Sequence, residues 1–283
     1  MTNRVILVTG ATGHQGGATI RALAGKGFAL RALTRKPDGA AARTLASLGA
    51  EIVKGDLDDV ASLKRALDGA WGAYAVQSPW EGGIDKEEAQ GKRFAQLARE
   101  AGVRHYVYAS VGSAHRRTGI PHFESKWRIE QTVRDLGFPS HVIIRPVFFM
   151  ENLLSPTVLD GDRLSLALAP STVVQMVAVK DIGAYGALAF TDALRLNRRE
   201  IDIAGDAVTI PRAAETLSSA LGRTITHVAV PIAELRTRSE DAAIMFEWFE
   251  QVGYDADIAG NAREFGIEPT SLAEWASSLT ERV

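Results

Sequence analysis

Short apolar runs alternate with amphipathic stretches through the first half of the chain. The runs Arg4–Thr9, Ala29–Thr34, Glu51–Lys54, Ala73–Gln77, His105–Ser110 and His141–Arg145 are brief and apolar or β-branched, as parallel strands buried on both faces are. Between them, Asp59–Leu67, Lys86–Ala101 and Phe123–Leu136 carry apolar residues at helical spacing. Gly49, Gly69, Gly102 and Gly137 follow helix ends as C-terminal caps. Strands alternating with helices predict an α/β fold built on a doubly wound parallel sheet, which takes ligands beyond the carboxyl ends of its strands.

After Pro146 the rhythm breaks. The strand-like runs Val173–Val179, Glu200–Ala204 and His227–Val230 mix with helical segments at Ile182–Phe190 and Arg212–Leu221. A long helical stretch, Ile232–Gln251, precedes a closing helix at Asn261–Val283 with Trp275 turned inward. The expected organisation is a dinucleotide-binding domain over residues 1–155 and a smaller α+β C-terminal lobe over 156–283. No Gly/Ser/Pro linker separates them, so the lobe is expected to be integrated into the fold and to form the second wall of a cleft.

The first strand runs straight into Gly10-Ala11-Thr12-Gly13-His14-Gln15-Gly16. Gly10 allows a tight turn, Gly13 has no side chain to hold phosphates away, and Gly16 lets the next helix pack close to the strand. That helix's first N–H groups then face an anion, the arrangement a Rossmann fold uses for a pyrophosphate. At the end of the second strand, roughly 20 residues on, a site for NAD(H) carries Asp or Glu. Here Thr34, Arg35 and Lys36 follow. A cationic pair suits a ribose 2′-phosphate, so NADP(H) is expected over NAD(H).

The remaining composition narrows the partners. The 283 residues are 46% hydrophobic, which predicts a packed core, and the net charge of −2 argues against direct nucleic-acid binding through the phosphate backbone. There is no cysteine, and His105, His141 and His227 lack metal-ligand spacing, so no metal site is expected. No signal-peptide pattern precedes the first strand and no apolar run approaches the ~18–20 residues of a membrane span. A soluble cytoplasmic protein without a membrane partner is the expectation.

Four segments together carry a family resemblance: Thr9–Gly16, Val53-Lys54-Gly55-Asp56-Leu57-Asp58-Asp59, His122-Phe123-Glu124-Ser125-Lys126, and Arg145–Leu154. In order and content they resemble the NmrA-like proteins, atypical relatives of the short-chain dehydrogenases, and among them the redox-sensor branch. The resemblance implies that Gly10, Gly13 and Gly16 face the pyrophosphate with Thr12, His14 and Gln15 along the same loop. It implies that Arg35 meets the 2′-phosphate, that Asp56 and Leu57 sit by the adenine, and that Gln77 and Ser78 flank the central ribose and nicotinamide. An acidic helix start is the alternative role for the aspartates at 56–59.

Active short-chain reductases use a Ser, a Tyr and a Lys. Ser110 ends the fifth strand where that Ser is expected, and Lys126 stands where the Lys does, available to hold the ribose. His122 replaces the Tyr. A histidine can act as a general acid near neutrality, although a neighbouring ammonium lowers its pKa. Trp80, Trp127, Phe148, Phe149 and Met150 can wall an apolar pocket or fill a core, Asn152 can cap a turn, and His115-Arg116-Arg117 reads as a basic loop or a lid. Two functions follow. One is a redox-state sensor that binds NADP(H) and signals through a regulatory protein partner. The other is an NADPH-dependent reductase of a small apolar carbonyl, quinone or imine. The chain is compatible with a homodimer in either case.

Overall fold

The computed structural model describes residues 4–280. The first half of the chain lays down β1 (Val5–Val8), α1 (His14–Leu23), β2 (Ala29–Thr34), α2 (Ala40–Ser47), β3 (Glu51–Lys54), α3 (Val60–Leu67), β4 (Ala70–Ala75), α4 (Ile84–Glu100), β5 (His105–Ala109), α5 (Pro121–Asp135) and β6 (Ser140–Pro146). There follow β7 (Phe148–Phe149), β8 (Leu159–Asp160), β9 (Arg163–Leu166), β10 (Val173–Val177), α6 (Val179–Thr191), β11 (Glu200–Ile203), β12 (Asp206–Thr209), α7 (Ile210–Leu221) and β13 (Thr226–Ala229). The chain ends in α8 (Ile232–Arg238), α9 (Glu240–Gln251), α10 (Ile258–Phe265) and α11 (Leu272–Thr280).

Seven strands form the main sheet in the order β11-β6-β5-β4-β1-β2-β3, with β1–β2, β2–β3, β1–β4, β4–β5 and β5–β6 paired in parallel. The expected doubly wound sheet is therefore present. Its winding reverses beside β1: the chain runs out through β2 and β3, then returns to place β4 on the other side. A crevice opens at such a switch point beyond the carboxyl ends of the strands. Ile6, Leu7 and Val8 are each fully buried, as a central strand covered on both faces requires.

The packing divides the chain into two compact units. The first contains the chain up to Val111, Glu124–Arg145 and Ile182–Ile201; the second contains Gly112–Phe123, Pro146–Asp181 and the chain from Asp202 onward. In the first unit, Leu7, Leu63, Phe94, Tyr106, Ile129 and Ile143 belong to one buried cluster. On α6, a Cβ at Gly183 would stand 2.6 Å from the Ala18 backbone, so glycine there permits close approach to α1.

The second unit holds two three-stranded sheets, β12-β10-β7 and β13-β9-β8. Phe123, Trp248, Phe249 and Tyr254 stack edge-to-face and offset around one another. Trp275 is buried, as expected, and its indole N–H donates to Glu151 at 3.1 Å. Two expectations need correction. The stretch 232–251 is two helices, because Ser239 adopts an extended conformation and its hydroxyl caps α9 at the Ala242 N–H. The closing segment is also two helices: α10 ends at Gly266 in the left-handed conformation, and α11 begins at Leu272. The end of that segment at Val283 lies outside the described residues. Among the described residues no helix is long and apolar enough to cross a membrane.

Candidate functional site

The glycine turn follows the carboxyl end of β1, at the switch point of the sheet. Gly10 has φ +55°, and its carbonyl accepts from the Gly13 N–H at 2.9 Å. A Cβ at Gly16 would lie 2.5 Å from the Gly10 oxygen and 2.7 Å from the Thr9 oxygen, so only glycine lets α1 start this close to the strand. Thr9 ties the turn to the neighbouring strand: its hydroxyl donates to the Val76 carbonyl at 3.0 Å and accepts from the Val76 N–H at 2.9 Å. No side chain caps α1 at Gly13. The first N–H groups of that helix have no intrahelical partner, and together with the dipole they suit an anion. Thr12, Gly13 and His14 are exposed along this loop, while Gln15 is half-buried.

Gln77 and Gln15 are two of the buried side chains whose polar atoms lack a hydrogen-bond partner. Gln77, just beyond β4, is 4% exposed, and neither its side-chain oxygen nor its nitrogen has a hydrogen-bond partner. The Gln15 side-chain oxygen is also buried and unpaired. A buried primary amide without partners is costly, so these atoms fit a polar ligand with both donors and acceptors. Ser78 is half-buried and precedes a single 3-10 turn at Pro79–Glu81. Trp80 on that turn is 71% exposed.

The structure sorts the aspartates after β3. Asp59 caps α3 by accepting from the Ala61 and Ser62 N–H groups. Asp56 accepts from the Asp58 N–H at 2.9 Å, closing a local turn, and Leu57 packs against the buried cluster. Asp58 pairs with Lys86 at 2.9 Å; hydrogen bonding to Lys86 is the main cause that holds its carboxyl below the usual range, against a smaller opposing effect of burial. Arg35 is exposed and pairs with Glu81 at 2.7 Å. Lys36 is exposed, and its N–H donates to the Thr34 hydroxyl at 3.2 Å.

Lys126 is 6% exposed. Its Nζ lies 2.6 Å from Oε1 of Glu87, a residue of α4 that is wholly buried, and 3.4 Å from the Gln77 carbonyl. Ser125 donates to the other Glu87 oxygen at 2.9 Å. An ammonium is thereby anchored beside the segment that follows β4. Ser110 has different company: its hydroxyl donates to Glu130 at 2.5 Å. Glu130 is also wholly buried and accepts from Arg145 through both oxygens, at 2.9 and 2.7 Å, while Arg134 reaches it at 2.7 Å. Arg145 also reaches Glu200 at 2.5 Å. Tyr108 is fully buried in the same unit; burial first, then the carboxylates of Glu87 and Glu130, push its phenol well above its ordinary pKa.

His122 belongs to the second unit. Its Nδ1 lies 2.6 Å from Oδ2 of Asp241, and its backbone N–H donates to Oδ1 at 3.0 Å. Burial opposes ionisation of Asp241, but the hydrogen bond and charge of His122 outweigh it and hold the carboxyl below its usual range. In the loop before α5, Arg116 bonds the Gly253 carbonyl at 3.2 Å and Asp255 at 3.0 Å, both in the second unit. Asn152 is exposed and its carbonyl closes a turn at Ser155.

Sequence reasoning missed Glu87, Glu130, Glu81 and Asp241. A signal existed for one group: Arg145 ends the apolar run Val142–Ile144, where a buried guanidinium demands carboxylate partners. The others are long-range pairs without a local signature.

The profile of the NmrA-like family matches residues 2–276. The NmrA-like family domain-containing oxidoreductase FrzB of Cladobotryum sp is 38% identical over 165 residues, which are 54% of this chain and 49% of that protein; the match spans about half the length of that relative. A (4-alkanoyl-5-oxo-2,5-dihydrofuran-3-yl)methyl phosphate reductase of Streptomyces griseus is 32% identical over 236 residues, covering 82% of this chain and 79% of the other. The solved structure of NmrA, a negative transcriptional regulator in complex with NADP, superposes with a TM-score of 0.82 at 22% identity over 100% of this chain and 97% of that one. A likeness at that identity establishes the fold.

Proposed function

We propose that this chain, which belongs to the NmrA-like family, binds a nicotinamide dinucleotide over the β1–α1 turn and works as an NADPH-dependent reductase of a small apolar carbonyl, quinone or imine. The carrying observation is the uncapped start of α1 behind a glycine cradle that a Cβ at Gly16 would fill, with the unpaired Gln77 amide on the next strand's extension. The Streptomyces relative supports the reductase reading, since it is named as a reductase and aligns over most of both chains. When bound, reduced nicotinamide supplies the hydride.

The chain's own residues bind and orient. Gly10, Gly13 and Gly16 leave room for the pyrophosphate, and the first turn of α1 offers it N–H donors, with Thr12, His14 and Gln15 along the same loop. Arg35 and Lys36 give the 2′-phosphate its cations, so NADPH is favoured over NADH. Asp56 and Leu57 serve the adenine end. Gln77, Ser78 and Lys126 serve the nicotinamide end, and Glu87 keeps the Lys126 ammonium in place. Much of the rate in such a reaction comes from orientation and charge stabilisation, which these groups can supply without a phenol. Ser110 acts only if its hydroxyl leaves Glu130.

That engagement favours a second reading. With Ser110 held by Glu130, and with His122 in place of Tyr and paired to Asp241, the chain instead serves as a redox sensor that distinguishes NADP from NADPH and signals to a protein partner. A sensor requires unequal affinities or conformations for the two forms. The test is NADPH oxidation by purified protein against quinones, aldehydes, ketones and imines, with Lys126→Met alongside. Saturable turnover that falls in the variant supports the reductase. Absent turnover, with NADPH binding confirmed and proteolysis patterns that differ between NADP and NADPH, supports the sensor.

A further inference from the structure

Two ion pairs join the ends of β2 and β3 to one short segment after β4. Arg35, in the loop after β2, holds Glu81 at 2.7 Å; Asp58, in the loop after β3, holds Lys86 at 2.9 Å. Glu81 closes the 3-10 turn after β4, and Lys86 lies in the first turn of α4. Residues 81–86 are thus laced across the ends of β2 and β3. The Arg35–Glu81 pair joins a guanidinium nitrogen to a carboxylate oxygen, and both side chains are more than half exposed. Such a pair is weak and exchangeable. A phosphate carries more charge and can engage the guanidinium with two parallel bonds.

We propose that Glu81 is the internal counter-ion that a ribose 2′-phosphate displaces from Arg35, and that Glu81 thereby sets the margin by which the site prefers a phosphorylated dinucleotide. The inference rests on the dinucleotide-binding reading above. Glu81 acts twice against the phosphorylated ligand: it occupies Arg35 before binding, and its charge repels the incoming dianion. Neither effect bears on a ribose with a free 2′-hydroxyl. Glu81 is a specificity-determining residue that works through Arg35.

Calorimetric titration of NADPH and NADH into the wild type, Glu81→Gln, Arg35→Ala and the double variant tests this. Both positions are exposed, so all four proteins are expected to fold. Removing an exposed competitor is expected to tighten NADPH binding about three- to fivefold in Glu81→Gln while NADH changes less than about twofold. In the Arg35→Ala background the gain shrinks to what the loss of repulsion alone supplies. An unchanged NADPH-to-NADH ratio in Glu81→Gln, weaker NADPH binding there, or a gain undiminished without Arg35 overturns the inference while leaving the cofactor reading intact. A wild type that binds neither dinucleotide overturns both.

Discussion

Lys126→Met isolates a buried charge, and its cost can be worked from the contacts. Glu87 is 0% exposed, with Lys126 at 2.6 Å and Ser125 at 2.9 Å as its donors. Methionine keeps most of the aliphatic stem, so packing changes little. The ammonium is lost, and a carboxylate remains in the interior with one neutral donor. Breaking a buried pair in this way costs about 3–5 kcal/mol. At about 2–4 °C per kcal/mol for a chain of this class, the melting temperature falls by roughly 6–20 °C. The double variant Lys126→Met/Glu87→Gln removes both charges and regains at least half of the loss. The assay is thermal melting of the three proteins. A single variant that loses less than about 1 kcal/mol, or a double variant that regains none of the loss, refutes the assignment of Glu87 as the counter-charge of Lys126.

Three other variants and titrations test neighbouring parts of the account. Ser110→Ala removes one donor from the buried Glu130 and is expected to cost about 1.5–3 kcal/mol in urea unfolding; activity retained at that cost makes Ser110 structural, and activity lost without it makes the hydroxyl catalytic. Burial depresses the His105 pKa to about 4 against the opposing Ala189 carbonyl. As a base depressed in the folded state, His105 contributes stability fully above its unfolded pKa of about 6.5, and about 3 kcal/mol of it is lost as pH falls to 4. Its ring resonances should show no inflection between pH 5 and 8, and a titration near 6.5 contradicts this. Gly16→Ala drives a Cβ to 2.5 Å from the Gly10 oxygen and should abolish NADPH binding in calorimetry; undiminished affinity removes the turn from the site.

The parts of the fold legible in the sequence are those with local causes. Ala29–Thr34 and Glu51–Lys54 form strands with the expected bounds, because an apolar run between turn residues needs no distant partner to announce itself. Asp59 caps its helix as an acidic helix start should. Strands of two residues such as Phe148–Phe149 and Leu159–Asp160 exist only through pairing with β10 and β9, and so carry no period. The breaks at Ser239 and Gly266 were visible as residue types, but the apolar spacing on either side masked them. In the site, the glycine turn could be read because backbone approach restricts residue type. The partners of Lys126 and Ser110 could not, because Glu87 and Glu130 meet them across 39 and 20 residues of chain.

The most direct test of the central claim is calorimetric titration of NADPH and NADH into the wild type and Arg35→Ala. The account predicts saturable binding of both dinucleotides by the wild type, tighter for NADPH, with the preference lost in Arg35→Ala. Absence of binding, or equal affinities in the wild type unchanged by the substitution, contradicts it.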